Sequence, residues 1–258
     1  MKVEVLIATM NQNDFSLYEK MNLNTDAIIA NQADSFSYEE REINGNKVKL
    51  ITTADRGVGK NRNIALLHSS GDILLFADDD VEYFEGYEQK IIDAYKKYPK
   101  ADVIIFNFYL LKNGEKSIRF KGNGKVPRNE IYRYGTCYIS IKRDFWIKTN
   151  IYFSLLFGGG AKYSCGEDIL FMHDMHKAGA KIYKTDTIIG TINCEKSSWF
   201  TGYNDKYFFD KGVLFSMITP CFSRVTLLYH IIKHRKEYKE YGLLKAYKMM
   251  VKGATEGA

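Results

Sequence analysis

Ile73-Leu74-Leu75-Phe76-Ala77-Asp78-Asp79-Asp80 sets five apolar residues directly against three carboxylates. A short unbroken apolar run, preceded here by the turn-forming Ser69-Ser70-Gly71, reads as a strand buried on both faces. Adjacent carboxylates repel one another at the end of such a strand, so something must compensate them. One reading is a solvated acidic loop or helix start, where acidic side chains complement the dipole. The other is a divalent cation, Mn²⁺ or Mg²⁺, which takes one or two carboxylates and completes its shell with substrate phosphate and water. Placement straight after a buried strand favours the cation. Alternation along an extended segment puts Asp78 and Asp80 on the same side.

Working outward, the first hundred residues alternate strand-like and helix-like signals, which predicts an α/β sheet. Val3–Ala8, Ala27–Ala30, Val48–Thr52 and Asp102–Phe108 are further apolar runs that read as strands. Gly59–Leu67 and Tyr87–Tyr98 have helical spacing, the second stopped by Pro99. Open parallel sheets bind ligands beyond the carboxyl ends of their strands. Thr9, Asn11, the stretch from Asn31 to Asp34, and Asp78 to Asp80 all fall there. Later, Asn113-Gly114 and Gly122-Asn123-Gly124 look like turns in a hairpin region. Gly166–Ala178 looks helical, and Ile182–Tyr183 and Ile188–Ile192 look like two short strands. The last forty residues look helical, with Leu243, Leu244, Tyr247 and Val251 as an apolar stripe among lysines.

The chain has 258 residues, 45% apolar and 26% charged, with only 3 prolines, so one main globular domain is expected. Cys137, Cys165, Cys194 and Cys221 are far apart and form no CxxC pair, which points to free thiols and a cytoplasmic setting. The apolar start is too short for a signal peptide. Between Arg224 and Lys252 eight Lys/Arg face only Glu237 and Glu240, so this segment carries the whole net charge of +6. A basic tail on a neutral body implies a local anionic partner. No nucleic-acid-binding module accompanies it, so none is expected as a partner.

Two further segments carry chemistry. Arg56-Gly57-Val58-Gly59-Lys60-Asn61-Arg62-Asn63 opens a helix, where free N–H groups, Lys60 and Arg62 could meet a diphosphate; it is neither Walker A nor GxGxxG. Glu167-Asp168 starts the helix after Gly158-Gly159-Gly160. Its carboxylates either complement the dipole or include a general base. His173 and His176 lack the HExxH spacing of a zinc site.

Taken in order, these pieces resemble glycosyltransferase family 2, over roughly residues 3–195. The opening strand with Ala8-Thr9-Met10-Asn11 is similar to the family's first nucleotide-binding turn. Asn31-Gln32-Ala33-Asp34 stands where the family usually has Asp-Asp-Gly-Ser, leaving Asp34 or Gln32 as the base contact. Gly57 to Asn63 resembles the glycine-led segment ending in Arg-Asn. Asp78-Asp79-Asp80 resembles the metal-binding DXD, and Gly166-Glu167-Asp168 the later Glu-Asp motif with the base.

The resemblance implies a GT-A fold, a Rossmann-like mostly parallel sheet flanked by helices, with a basic helical C-terminal extension. It divides the chain into a catalytic domain at 1–195 (nucleotide-sugar half 1–110, acceptor half 111–195) and an extension at 196–258. It implies an inverting transfer from a nucleotide sugar, expected to be UDP-linked, to a lipid-linked or surface-glycan hydroxyl. Asp80 and Asp78 would hold Mn²⁺ or Mg²⁺ and Asp168 would be the base. Thr9, Asn11, Gln32, Asp34, Lys60, Arg62, Asp78 and Asp79 would bind the nucleotide sugar, with Glu167 and Trp199 as contacts to acceptor or donor. Processive members carry Gln-x-x-Arg-Trp and membrane spans; here the comparable stretch is Glu195-Lys196-Ser197-Ser198-Trp199, and no run of eighteen apolar residues exists, so a single addition is expected. The amphipathic basic C-terminus suggests docking on an anionic membrane, at the inner face, or else a helix packed on the body. The rival readings are a sugar-phosphate nucleotidyltransferase, disfavoured by Thr9-Met10-Asn11-Gln12 where a Gly-rich basic loop is usual, and a non-catalytic carbohydrate-binding protein.

Overall fold

The computed structural model describes residues 1–194 and 202–257, so Trp199 and the neighbouring Glu195–Phe200 segment lie outside the described residues. In the first half β1 (Val3–Met10), α1 (Ser16–Lys20), β2 (Asp26–Gln32), β3 (Ser37–Ile43) and β4 (Asn46–Thr53) come first. They are followed by α2 (Val58–Leu67), β5 (Ile73–Asp78), β6 (Val81–Tyr83) and α3 (Tyr87–Lys97). The second half holds β7 (Val103–Lys112), β8 (Glu115–Ile118), β9 (Gly124–Lys125), β10 (Ile139–Lys142), α4 (Arg143–Thr149), α5 (Glu167–Lys177) and β11 (Ile182–Asn193). The C-terminal helices are α6 (Asp205–Ile218), α7 (Ser223–Lys233) and α8 (Leu243–Glu256).

Among the described residues eleven strands form one sheet, ordered β3-β4-β2-β1-β5-β10-β7-β11-β6, with β8 on β7 and β9 on β11. The apolar runs become its centre: β1 pairs in parallel with both β2 and β5, and β2 with β4. β10 runs antiparallel between β5 and β7, so β7 points the same way as β5, and β11 pairs with β7 in parallel. The mostly parallel α/β sheet expected from the sequence is therefore present. Its register matters for function. Ala8 stands opposite both Ala30 and Asp78, so Thr9, Asn31 and the Asp triplet leave the sheet at one level.

One strand was not foreseen and two expectations change. β3 was not legible: all but its last residue are exposed, and it joins β4 through Asn44 (φ 53) and Gly45 (φ 77), a left-handed pair suited to a two-residue hairpin turn. The two short strands near the end of the sheet are one strand, β11, interrupted by register shifts between Lys184 and Thr191. The stripe expected on α8 is half right, since Tyr247 and Val251 pack on the C-terminal cluster. Leu243 and Leu244 are exposed, while Ala246, Met250 and Gly253 are buried. Small residues decide this: a Cβ on Gly212 would lie 1.9 Å from the Met250 carbonyl oxygen, and one on Gly253 would lie 2.0 Å from that of Phe209. The α6 and α8 backbones therefore touch, and one face of α8 packs inward on α6 while Leu244, Lys245 and Lys248 stay exposed on the other.

The main core fills both sides of the sheet. A second cluster, including Phe208, Leu227, Tyr238 and Met250, holds α6, α7 and α8 together. Phe157, Tyr163, Leu170, Val213 and Leu214 form a third, which ties α6 to α5.

Candidate active site

Four consecutive side chains of α2 organise the site. Lys60 turns outward and pairs with Asp55 at 2.6 Å. Asn61 donates to the carbonyls of Thr9 (3.0 Å) and Ala30 (2.7 Å), pinning the helix across the ends of β1 and β2. Arg62 is 6% exposed and donates to Asp78 at 2.8 Å and to Glu167 at 2.9 Å, with its guanidinium over the Phe153 ring at 5.5 Å. Asn63 exchanges hydrogen bonds with the Phe153 backbone at 2.9 and 2.8 Å. Arg62 thus joins the end of β5 to the start of α5, bringing together two carboxylate motifs about ninety residues apart in sequence. Burial opposes its charge, but Asp78 and Glu167 outweigh that and hold it protonated well above its ordinary range.

The glycine-led loop differs from an open phosphate cradle. The Gly57 N–H donates to the Gln32 side chain at 2.7 Å and the Val58 N–H to the Gly159 carbonyl at 2.9 Å. A Cβ on Gly59 would lie 2.4 Å from the Ser154 carbonyl oxygen. The N–H groups of Gly57 and Val58 are therefore satisfied, and the glycines let the 154–160 loop pack directly against the helix start. Gly158, with φ +102, lies where a Cβ would come within 2.9 Å of the Glu167 carboxyl.

Around the strand ends, Thr9 donates to Asp79 at 2.6 Å and accepts from Gln12 at 3.1 Å. Buried Asn31 braces the turn after β1, accepting from the Gln12 N–H and donating to the Gln12 carbonyl and to Thr52. Asn11 is exposed at this turn with φ 57, and Asp34, also exposed, pairs with Arg56. The structure thus gathers Thr9, Asn11, Gln32, Asp34, Arg62, Asp78, Asp79, Asp80, Glu167 and Asp168 around one end of the sheet, whereas Lys60 is engaged with Asp55.

The carboxylates divide into two kinds. Asp78 and Glu167 share a guanidinium, and Asp79 has the Thr9 hydroxyl. Asp80 still reaches solvent, but partial desolvation and the charges of Asp78 and Asp79 push it up to about 6. Asp168, in the first turn of α5, is likewise pushed to about 6 by burial and by Glu167. Its carboxylate accepts from the Ile169 N–H at 2.8 Å and is offset in part by Arg62 and Lys211. Among the described residues no group of three or more His, Cys, Asp or Glu converges to hold a metal by itself. Asp80, crowded by carboxylates already paired elsewhere, instead fits a cation that takes one or two protein oxygens and the rest from substrate phosphate and water.

Sequence reasoning missed Lys211 on α6, partly buried within electrostatic reach of Asp168, Glu167 and Cys165. It also missed Cys137, which lies within reach of Asp78, Asp80 and Arg62 and whose thiol burial pushes well up. Neither carries a local motif; only the fold brings them in. Buried polar atoms without a partner among the described residues include Arg62 Nε, the Tyr83 hydroxyl and Thr136 Oγ1.

A family-level comparison matches residues 23–154, half of the chain, to "Glycosyl transferase family 2". The chain belongs to this family. The match takes in β2, α2 and the Asp triplet. No curated protein sequence matches the chain. Among solved structures, S. aureus TarS 1–349 in complex with UDP-GlcNAc is similar at 15% identity with a TM-score of 0.62, covering 83% of this chain and 66% of that one. The same TarS segment with UDP gives 16% identity and a TM-score of 0.60, covering 83% of this chain and 64% of that one. A further S. aureus TarS structure gives 16% identity and 0.60, covering 85% of this chain and 40% of that one. At such identities the likeness shows the fold, which is GT-A. The chain spans just under two thirds of the TarS 1–349 structures.

Proposed function

We propose that this family 2 member is a metal-dependent, inverting, single-addition glycosyltransferase using a UDP-linked sugar. The observation that carries the reading is the Arg62 bridge between Asp78 and Glu167, which sets the Asp triplet and Asp168 around one cleft. The likeness to TarS, solved with UDP-GlcNAc and with UDP, supports the donor class.

In this reading Asp168 takes the proton of an acceptor hydroxyl as its oxygen bonds to the anomeric carbon and the bond to the nucleoside diphosphate breaks on the opposite face. A carboxyl poised near 6 is ionised at neutral pH yet basic enough to accept that proton. Asp80, with Asp78, would hold Mn²⁺ or Mg²⁺, whose positive charge would stabilise the leaving diphosphate. Thr9, Asn11, Gln32 and Asp34 line the nucleotide end. Arg62 acts through the two carboxylates it positions, and Lys60 would have to leave Asp55 to reach a phosphate.

The acceptor side holds a cavity of about 500 Å³ lined by Arg119, Lys121, Arg133 and Lys184, among others, with Glu130 paired to Lys184 at 2.8 Å. Tyr138 and Cys194 feel both Arg119 and Asp80, so this cavity neighbours the cleft. Its excess of cations supports an acceptor bearing phosphate, such as a lipid-linked glycan precursor handled by a peripheral membrane enzyme.

The test is release of nucleoside diphosphate across a panel of nucleotide sugars, with Mn²⁺ and then with EDTA. Metal-dependent turnover of one UDP-sugar is expected. Folded protein that binds no nucleotide sugar under either condition would refute the reading and favour the non-catalytic one.

A further inference from the structure

α7 has apolar residues on both faces. Leu227 and Ile231 are buried in the C-terminal cluster, while Phe222, Val225, Leu228, Tyr229 and Ile232 on the other side are between 49% and 70% exposed. Phe222, Val225, Tyr229 and Ile232 follow helical spacing and form one stripe. Scattered exposed apolar side chains are ordinary, but four on one short helix with Phe222 just before it form a contiguous patch that water does not favour.

Length and charge select the occupant. The eleven residues of α7 span about 16 Å, half of a ~30 Å hydrocarbon core, and no helix among the described residues is long and apolar enough to cross a membrane. The stripe can therefore lie only in an interface plane. Arg224, Lys233, Arg235, Lys236 and Lys239 surround it, against Glu237 and Glu240. Glu237 is itself engaged by His234 at 3.1 Å and by Tyr203 at 3.2 Å. A second copy meeting this face about a two-fold axis would bring the same five cations against them. An anionic bilayer offers apolar depth for the stripe and negative headgroups for its rim.

We infer that α7 is a membrane-docking element, with Val225, Tyr229 and Ile232 of the helix and Phe222 just before it inserted among the headgroups of an anionic bilayer. This names the membrane contact of the proposed transferase, but the binding itself needs neither donor nor metal. Its failure and the failure of the enzymatic reading are therefore separately visible.

The experiment is flotation of the full chain with phosphatidylglycerol-containing vesicles and with phosphatidylcholine vesicles, without nucleotide sugar. Flotation only with the anionic vesicles is expected. The combined variant Phe222→Gln, Tyr229→Gln, Ile232→Gln should lose about tenfold or more in partitioning, since its contacts supply the apolar term. The variant Lys233→Glu, Arg235→Glu, Lys236→Glu should lose the preference for anionic lipid. Because these side chains are exposed, the variants should melt with the parent chain. As an independent measure, Tyr229→Trp should give indole emission that shifts blue on adding anionic vesicles. Absence of flotation by the parent chain would overturn the inference, as would unchanged flotation of the glutamine variant or unshifted emission. A parent dimer in lipid-free solution that the glutamine variant converts to monomer would assign the face to a second copy instead.

Discussion

Replacing Arg62 by methionine keeps the length of the stem and removes the charge that two carboxylates share. The cost follows from exposure. Glu167 is 12% exposed and Asp78 39%, so Glu167 is the carboxylate left unpaired inside protein, whereas water can screen Asp78. Removing one partner of a buried pair costs about 3–5 kcal/mol, most of it the penalty of the stranded charge. With Asp78 discounted, Arg62→Met should lose about 3 kcal/mol, or about 10 °C in Tm at roughly 3 °C per kcal/mol for a chain of this size. The assay is a double-mutant cycle by thermal and urea unfolding. Glu167→Gln on the Arg62→Met background should recover about 1–2 kcal/mol by removing the stranded charge, a clear departure from additivity. A single variant that loses less than about 1 kcal/mol, or a double variant no more stable than the single, would show that the bridge is a surface-like pair and not the joint of the site.

Asp168→Asn should lower turnover about 10²–10⁴-fold while raising stability at pH 7. The folded Asp168 carboxyl is raised from 3.8 to about 6, so its favourable contribution is complete below 3.8 and lost as pH rises through about 6. The gain at pH 7 is thus at most about 3 kcal/mol and should shrink at pH 4; an unchanged melting difference between the two pH values would refute the cause assigned. For the same reason kcat of the parent should rise with pH through about 6. Lys211→Met removes a cation that lowers Asp168, so the acid limb should move to higher pH; a limb that stays in place would remove Lys211 from the site. Gly59→Ala puts a methyl 2.4 Å from the Ser154 carbonyl oxygen, backbone against backbone, and should cost about 1–3 kcal/mol by unfolding, whereas a neutral effect would mean that the 154–160 loop yields freely.

Legibility tracked how local each signal was. β1, β2 and β5 were readable because burial on both faces leaves an unbroken apolar run. β3, Ser-Tyr-Glu-Glu-Arg-Glu-Ile, has no buried face, and its charges suit an exposed edge, so periodicity had nothing to report. β11 was read as two pieces because Thr185-Asp186-Thr187 breaks its apolar pattern where its pairing slips. On α8, hydropathy favoured Leu243 and Leu244, but close approach to α6 depends on Gly212 of α6 and Gly253 of α8, which a hydropathy stripe undervalues. At the site, the motif order marked every carboxylate. It could not show that Arg62 faces carboxylates rather than phosphate, because Glu167 lies 105 residues away in sequence.

That pairing also sorts roles that sequence leaves equal. Five carboxylates in two motifs look interchangeable, yet the fold provides one buried guanidinium and one threonine hydroxyl among them. Asp78 and Glu167 take the guanidinium and Asp79 the hydroxyl, so one oxygen of each is engaged by the protein, and the second oxygen of Asp78 is left for a shared cation. Asp80 and Asp168 receive no cation within bonding distance among the described residues, and they are the two members pushed upward by burial and by their neighbours. A fold that desolvates Asp168 in the first turn of α5 and crowds Asp80 against two carboxylates, with no cation bonded to either among the described residues, gives up stability there. On the proposed reading the loss would be recovered when Asp80 meets a cation and Asp168 meets a proton. Those are the two events a glycosyl transfer needs at opposite ends of the sugar: positive charge at the departing diphosphate and a proton acceptor at the incoming hydroxyl. In the proposed transfer, then, Glu167 and Asp79 would chiefly build the site, while Asp168 and Asp80, aided by Asp78, would carry its chemistry.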